Sequence, residues 1–486
     1  MRRRLLLFLC LLSSLFICIA CNIKEASQPY TFISSAPHTL WHPPVQAQSR
    51  PIVQELDLKN EEYQECSEPS PLTLAESIDI ALANNPNTKE SWALARVSAA
   101  AYGQTLKDNF ILASIEGNYS LTNSSAEQIN KHRPYTTHYE MGLAFTYRIL
   151  DFGQTRLSSK AALQSLFNAN WSHNSHIQEI IQLTMNGYYY YLYQKQLLTL
   201  TEQNVINAEL SLNATKEKFR QGIADISDIV QAKTGYLQHK LNLTNQKQLL
   251  HNAYTQFVNN MGLPANKVYY FENYPKNIDP IDLESLDILI IKANENRFDL
   301  LAREASVKSQ RAALQASRLK HYPIITGTLN IGHKYDKNKL NHAYDVIAQI
   351  NLSFPLFQGF YIANSIKAAH AKLESEEAKL KQIKLAIIRE VSNYRSNVIH
   401  AQESVEYAQA YLSSAEEDYN VHLKKYQVGT GTIVDLMNAQ SSVFDARSKL
   451  AQAQNNWYSS IVNLAYATGT LFPKQKEGNK SEKNNQ

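Results

Sequence analysis

The chain has 486 residues, 19% of them charged, and a formal net charge of +4, too slight and too interspersed to point to nucleic acid. No His-Glu-x-x-His, Walker loop, Gly-x-Ser-x-Gly or paired Cys-x-x-Cys occurs, so no catalytic residue, metal site or cofactor is expected. Aromatic residues make up 10%, with 28 Tyr, which is compatible with a membrane interface.

Arg2, Arg3 and Arg4 precede an apolar run from Leu5 to Ala20. About 16 residues is too short for a comfortable membrane-spanning helix and right for a secretory signal, so residues 1–20 are read as a signal peptide. Ala20 before Cys21 resembles the bacterial signal for cleavage and lipid attachment, with Cys18 where that signal usually carries Leu. An ordinary signal cut near Ala20 is the alternative. Cys10 and Cys18 would leave with the signal and Cys21 would carry lipid. Cys66 then has no internal disulfide partner. Residues 21–71 hold Pro29, Pro37, Pro43, Pro44, Pro51, Pro69 and Pro71 and keep no apolar period. They are expected to form a lipidated, extended tether.

Residues 72–264 form a first structural repeat. Thr73-Leu-Ala-Glu76 is a capping box that opens a helix. The helix runs through Leu82, breaks at Asn84-Asn85-Pro86 and resumes to about Leu106. The period then changes to two: Ile111, Ala113, Ile115, Gly117, Tyr119 and Leu121 alternate with Leu112, Ser114, Glu116, Asn118 and Ser120. After a polar loop containing Lys131-His-Arg-Pro134, Tyr139, Met141, Leu143, Phe145 and Tyr147 alternate with Glu140, Gly142, Ala144 and Thr146. Strands of about 10 residues suffice to cross a bilayer when tilted, although a soluble hairpin alternates in the same way. From about Ala161 to Phe219 there is no Pro, and Tyr191, Leu198, Val205, Leu212 and Phe219 recur at the heptad spacing of a coiled coil. Tyr188 to Tyr191 point round the whole helix and read as packing. A return helix is expected from Ile226 to Met261.

Residues 265–282, with Tyr269-Tyr-Phe271, link the halves, and residues 283–472 restate the first repeat. Strands are expected around Ile325 to Gly332 and Tyr344 to Phe354. The strand-to-helix phrase is Phe354-Pro-Leu-Phe-Gln-Gly359. Its first-repeat counterpart, Tyr147-Arg-Ile-Leu-Asp-Phe-Gly153, looks degenerate, with no Pro and a single Gly. Leu373, Leu380, Ile387, Tyr394, Ala401, Ala408 and Ala415 form one heptad row of the next helix. Val391, Val398, Val405, Leu412, Tyr419 and Tyr426 form the other. Residues 473–486 are polar and expected to be disordered. His173 and His176 stand one turn apart without a third ligand nearby in sequence, and read as surface histidines.

Two stretches share an offset of 207: Lys218-Phe-Arg-Gln-Gly222 through Asp228 and Ala232, and Lys425-Tyr-Gln-Val-Gly429 through Asp435 and Ala439. Each ends a long helical pattern at Gly and starts another, as at the tip of an antiparallel helical hairpin. The pattern Tyr-x-Val-Gly-x5-Asp-x3-Ala-Gln, Tyr426 to Gln440, resembles the tip motif of the outer-membrane efflux proteins, the TolC-like trimeric channels. So do the opening Leu-Thr-Leu-Ala-Glu-Ser helix and the Phe354–Gly359 phrase. The resemblance covers nearly all of residues 72–472.

Several expectations come with it. The fold would be long coiled-coil helices forming an α-barrel, plus four strands per chain contributing to a trimeric twelve-stranded transmembrane β-barrel. The protein would be a passive outer-membrane exit duct of a tripartite efflux or type I secretion system. It would be lipid-anchored in a Gram-negative-type bacterium, with a long periplasmic extension. Its partners would be two further copies, a periplasmic adaptor docked at the tips, an inner-membrane transporter and membrane lipid. In the family, the tip tyrosine and an arginine five residues later bind polar and acidic residues of the other hairpin. Here those positions are Tyr426, Gly431, Ser227 and Asp228. Without the arginine, a gate held mainly by packing and neutral hydrogen bonds, and easier to open, is expected. Asp435 matches an acidic position at the entrance, and Asn438 stands at a second one. Three copies of Asp435 would favour cations. Asp228 and Asp435 could equally be helix N-terminal carboxylates. Gly222 and Gly429 are candidates for the adaptor-facing tips, with C-capping as the alternative. Only five Met argues against a dedicated thioether copper path. A coiled-coil scaffold or adaptor lipoprotein without a pore is the other reading; it leaves the four strands unexplained.

Overall fold

The structure, a computed structural model, describes residues 26–43, 71–122, 136–274, 282–336 and 341–471. The signal region with Cys21, Cys66, most of the tether, the loop at 131–134 and the tail lie outside them.

The first half contains α1 (Leu74–Asn84), α2 (Pro86–Thr105), β1 (Leu112–Thr122), β2 (Thr136–Leu150), α3 (Gln154–Arg220) and α4 (Ile226–Asn260). The second contains α5 (Leu286–Asn296), α6 (Phe298–Leu319), β3 (Ile324–Asp336), β4 (Asn341–Ser353), α7 (Tyr361–Gln427) and α8 (Ile433–Ala467). α3 and α7 each have 67 residues, and α4 and α8 each have 35. A 67-residue helix is about 100 Å long. The offset between halves is 212 up to the first strands (86 and 298, 112 and 324) and 207 from α3 onward (154 and 361). The first strand hairpin is therefore five residues longer.

α3 begins seven residues before the expected start at 161. The extra turns follow from capping: Asp151 accepts hydrogen bonds from Gly153 N (2.9 Å) and Thr155 N (2.7 Å), which anchors free amides at the helix start. Just before each long helix the chain passes through two consecutive left-handed residues. These are Phe152 and Gly153 in the first half, and Gly359 and Phe360 in the second. The phrase that looks degenerate in sequence makes the same turn, with the glycine and the aromatic exchanged.

The core lies at the waist, where α1, α3, α4 and α8 meet the linker. Tyr188, Tyr189, Phe257, Val258, Met261, Trp457 and Tyr458 are buried there together. Tyr189 stacks on Tyr458 with centroids 4.7 Å apart. The linker is part of this core. Leu72 and Phe271 form a parallel bridge, and the Phe271 ring is buried against Phe257 at 4.8 Å. A second cluster joins α5, α7 and α8 through Leu289, Ile387, Val391, Val398 and Leu464. In α3 the continuously buried row is Gln194, Thr201, Ala208 and Thr215, while Phe219 of the expected apolar row is exposed. Small and polar side chains let neighbouring helices approach closely.

Residues 26–43 are docked on the body, with a 3-10 turn at Pro29–Phe32. Asn170 donates to Phe32 O (2.8 Å), and Asn174 both donates to Trp41 O (2.7 Å) and accepts from Trp41 N (2.8 Å). The Trp41 ring is buried against Phe167 and Trp171. His173 is not on the surface; it is 1% exposed beneath this segment, with Nδ1 2.8 Å from Ser91 Oγ. Nearly all of its neighbours in sequence are polar, which hid its burial. His176 is exposed and pairs with Glu179 at 3.2 Å.

The strands form one antiparallel sheet in the order β1-β2-β3-β4. In its register Glu116 lies opposite Gly142, Gly142 opposite Gly332 and Gly332 opposite Asp345. One face carries Ile115, Tyr119, Met141, Leu143, Ile331, Val346, Ile350 and Leu352, all exposed. The other carries Glu116, Asn118, Glu140, Thr146, Thr328, Asn330, Gln349 and Asn351. β1 and β4 each have one edge without a strand partner among the described residues.

Candidate functional site

The two hairpin tips are built by one device. At Gly222 (φ +75°) the amide donates to Phe219 O (2.9 Å) and Ile223 N donates to Lys218 O (2.9 Å). At Gly429 (φ +81°) the matching bonds run to Tyr426 O (3.3 Å) and, from Thr430 N, to Lys425 O (3.0 Å). This paired arrangement ends a helix on a left-handed residue, which glycine adopts without a Cβ penalty. Both glycines face open space.

The return helices start on capping boxes. Asp225 N donates to Asp228 Oδ2 at 3.0 Å, which places Asp228 at the third helical position. Thr432 Oγ1 donates to Asp435 Oδ2 at 2.7 Å, and Asp435 N donates back to Thr432 Oγ1 at 3.2 Å. The Thr432 hydroxyl bond holds the Asp435 carboxyl below its ordinary range, with Thr432 N, His422 and Lys425 adding to the effect. Asp435 and Asn438 are exposed one turn apart on α8. Ser227 is exposed and Asp228 half-buried.

Tyr426 is buried with Ile433 and Leu436. Its hydroxyl lies 3.2 Å from Thr215 Oγ1 on α3, and its carbonyl accepts from Lys218 Nζ at 2.7 Å. The same ammonium stands 3.5 Å from the centre of the Tyr426 ring. Within one chain the partners of Tyr426 in the other hairpin are thus on the outgoing helix, at 215 and 218. Beside its packing and the neutral hydroxyl pair, the junction also contains one charged group, the Lys218 ammonium. A further link joins Gln440 Nε2 to Ser211 Oγ at 3.2 Å. The sequence signal for Lys218 is its recurrence at 425; nothing in the linear pattern marks Thr215.

Gly431 is confined. A Cβ there would stand 3.0 Å from Lys425 Cβ and 3.1 Å from Tyr426 N, and its amide already donates to Lys425 O at 3.0 Å. Any side chain at 431 must shift this turn.

The family described as "Outer membrane efflux protein" matches residues 77–263 and 289–470, one block in each half. The chain belongs to that family. The TolC outer membrane protein of Salmonella enteritidis is 24% identical over 307 residues, covering 60% of this chain and 62% of that one. Protein CyaE of Bordetella pertussis is 22% identical over 408 residues, covering 82% and 84%. The solved Campylobacter jejuni CmeC outer membrane channel shares the fold with a TM-score of 0.74 at 16% identity, over 88% of this chain and 94% of that one. Among the described residues of this outer membrane efflux protein, no group of three or more His, Cys, Asp or Glu could hold a metal ion, and no helix is long and apolar enough to cross a membrane.

Proposed function

We propose that three copies of this chain join their sheets into a twelve-stranded barrel in the outer membrane, and that the helices continue it as a tunnel through the periplasm. The observation that carries this reading is the four-stranded sheet with an exposed apolar face and two open edges, mounted on helices about 100 Å long. Open strand edges are not tolerated in lipid, because no water satisfies the backbone there. Sharing the barrel between chains removes the edges and leaves a polar lumen. A pore-free scaffold gives no account of that sheet.

The duct is passive. A periplasmic adaptor docks on the tips around Gly222 and Gly429, and an inner-membrane transporter supplies the energy for efflux or secretion. Cys21 anchors the chain through lipid. Asp435 caps α8 and also contributes a carboxylate to the narrow entrance, which favours cations.

Light scattering of the detergent-extracted protein, with detergent subtracted, tests the assembly. A trimer that needs detergent supports the shared barrel, and a detergent-independent monomer or dimer removes it. Planar-bilayer recordings then test the lumen: Asp435→Asn should lower cation selectivity. Unchanged reversal potentials would leave only the capping role. Radiolabelled palmitate incorporation, lost on Cys21→Ser, tests the anchor.

A further inference from the structure

We propose that Lys218 is the latch that holds the two hairpins of one protomer together at the entrance, with Thr215 as the second half of the latch and Tyr426 as the shared keeper. This rests on the duct reading and adds to it the residue that sets the balance between closed and open.

The geometry concentrates three contacts on one residue, Tyr426. Lys218 lies in the last turn of α3 and Tyr426 in the last turn of α7. Helix C-termini carry free carbonyls and partial negative charge, so a cation there is favoured. Tyr426 O receives a long bond from Gly429 N (3.3 Å) and a shorter one from Lys218 Nζ at 2.7 Å. The ammonium also lies on the ring face, within the distance at which cation–π attraction operates. The hydroxyl at the far end of the ring reaches Thr215, one helical turn back along α3. Thr215 is itself fully buried and bonded to Ser211 O at 2.8 Å, so its hydroxyl is held in place. Tyr426 is thus gripped at backbone, ring face and hydroxyl by two residues of the other hairpin. A carboxylate plays no part, which suits a tip where Asp228 and Asp435 are engaged in capping boxes.

Separating the hairpins breaks all three contacts at once. Lys218 acts through Tyr426 and not on the transported molecule, so it is a positioning residue. Its readout is the open fraction of the pore and not fold stability alone.

The experiment compares full-length wild type, Lys218→Met, Lys218→Arg and Thr215→Val in planar bilayers, with thermal unfolding of each in detergent. Methionine keeps the length of the stem and removes the charge. We expect Lys218→Met to raise the open-to-closed ratio roughly tenfold, at an unfolding temperature close to wild type. Lys218→Arg, which keeps a cation able to bond the carbonyl and stack on the ring, should restore closure. Thr215→Val should give a smaller rise, and keeps the idea testable if Lys218→Met does not assemble. A conducting wild type with Lys218→Met and Thr215→Val indistinguishable from it overturns the latch and leaves the duct standing. No conductance from any of the four overturns both.

Discussion

Gly262 sits directly against the backbone of Asn84: a Cβ on Gly262 would stand 2.7 Å from the Asn84 carbonyl carbon. The second half repeats the contact, with a Cβ on Gly469 falling 2.8 Å from the carbonyl carbon of Asn296. Each glycine ends a return helix at positive φ and wedges into the break between two short helices. Gly222 has the same conformation but open space around it. Gly222→Ala should therefore cost about 1 kcal/mol, the left-handed penalty alone. Gly262→Ala should cost roughly 3 kcal/mol, because the backbone must also move apart. Urea unfolding followed by circular dichroism would separate the two; equal costs would mean that the wedge carries no weight.

Arg297 should be a stability determinant without any role at the tips. It is 6% exposed and pairs with Asp299 (2.6 Å) and with Glu390 of α7. Burial works against its charge, and the two carboxylates more than offset that, holding the guanidinium protonated. Its counterpart Asn85 does the same job with neutral bonds, accepting from Asn87 N and donating to Asn260 O. Arg297→Ala leaves two half-buried carboxylates facing each other and should cost about 3 kcal/mol. Adding Glu390→Gln to that variant should recover part of the loss in a double-mutant cycle.

Acid should loosen the docked segment at residues 26–43. Burial lowers the His173 pKa from its ordinary value to about 4, with His176 adding to the drop and the Thr39 backbone opposing it. The unfolded chain binds this proton below about pH 6.5 while the folded chain still excludes it. Stability is therefore complete above that pH and declines as pH falls toward 4, by up to roughly 3 kcal/mol. Wild type should lose melting temperature between pH 7 and pH 5, and His173→Gln should lose less. Parallel pH profiles of the two proteins would remove His173 as the cause.

The two roles given to Asp435 can be separated at its neighbour. Thr432→Ala removes the hydroxyl that completes the capping box and should cost about 1 kcal/mol at the start of α8. It leaves the exposed carboxylate in place, so ion selectivity should stay as in wild type. A selectivity change in Thr432→Ala would show that the entrance depends on the cap geometry more than on charge.

Much of the architecture is legible in the sequence because its signals are local and duplicated. The heptads and the Gly-ended tips recur at the offset of 207, the strand alternation recurs in each half, and the break at Asn84-Asn85-Pro86 is marked by its proline. Buried polar residues are less legible. His173 and Asn174 look like surface residues until Thr39 and Trp41, more than a hundred positions away, meet them. Phe271 looks like linker until it pairs with Leu72. The tip shows the same limit. Asp228 and Asp435 can be read as caps from their spacing behind Asp225 and Thr432. The Lys218–Tyr426 contact joins two helices that end 207 residues apart, and only the folded chain reveals it.

The offset of 207 has a consequence for symmetry. In the proposed trimer six hairpins ring the entrance, and two kinds of seam alternate around it. Seams within a protomer carry Thr215, Lys218 and Tyr426. The positions equivalent by the offset are His422, Lys425 and Phe219, and Phe219 has no hydroxyl to offer. The ring is therefore sixfold in backbone and threefold in chemistry. Opening that releases Lys218 would part the three seams within protomers while the intervening seams hold, so that the aperture widens as a triangle and not as a hexagon.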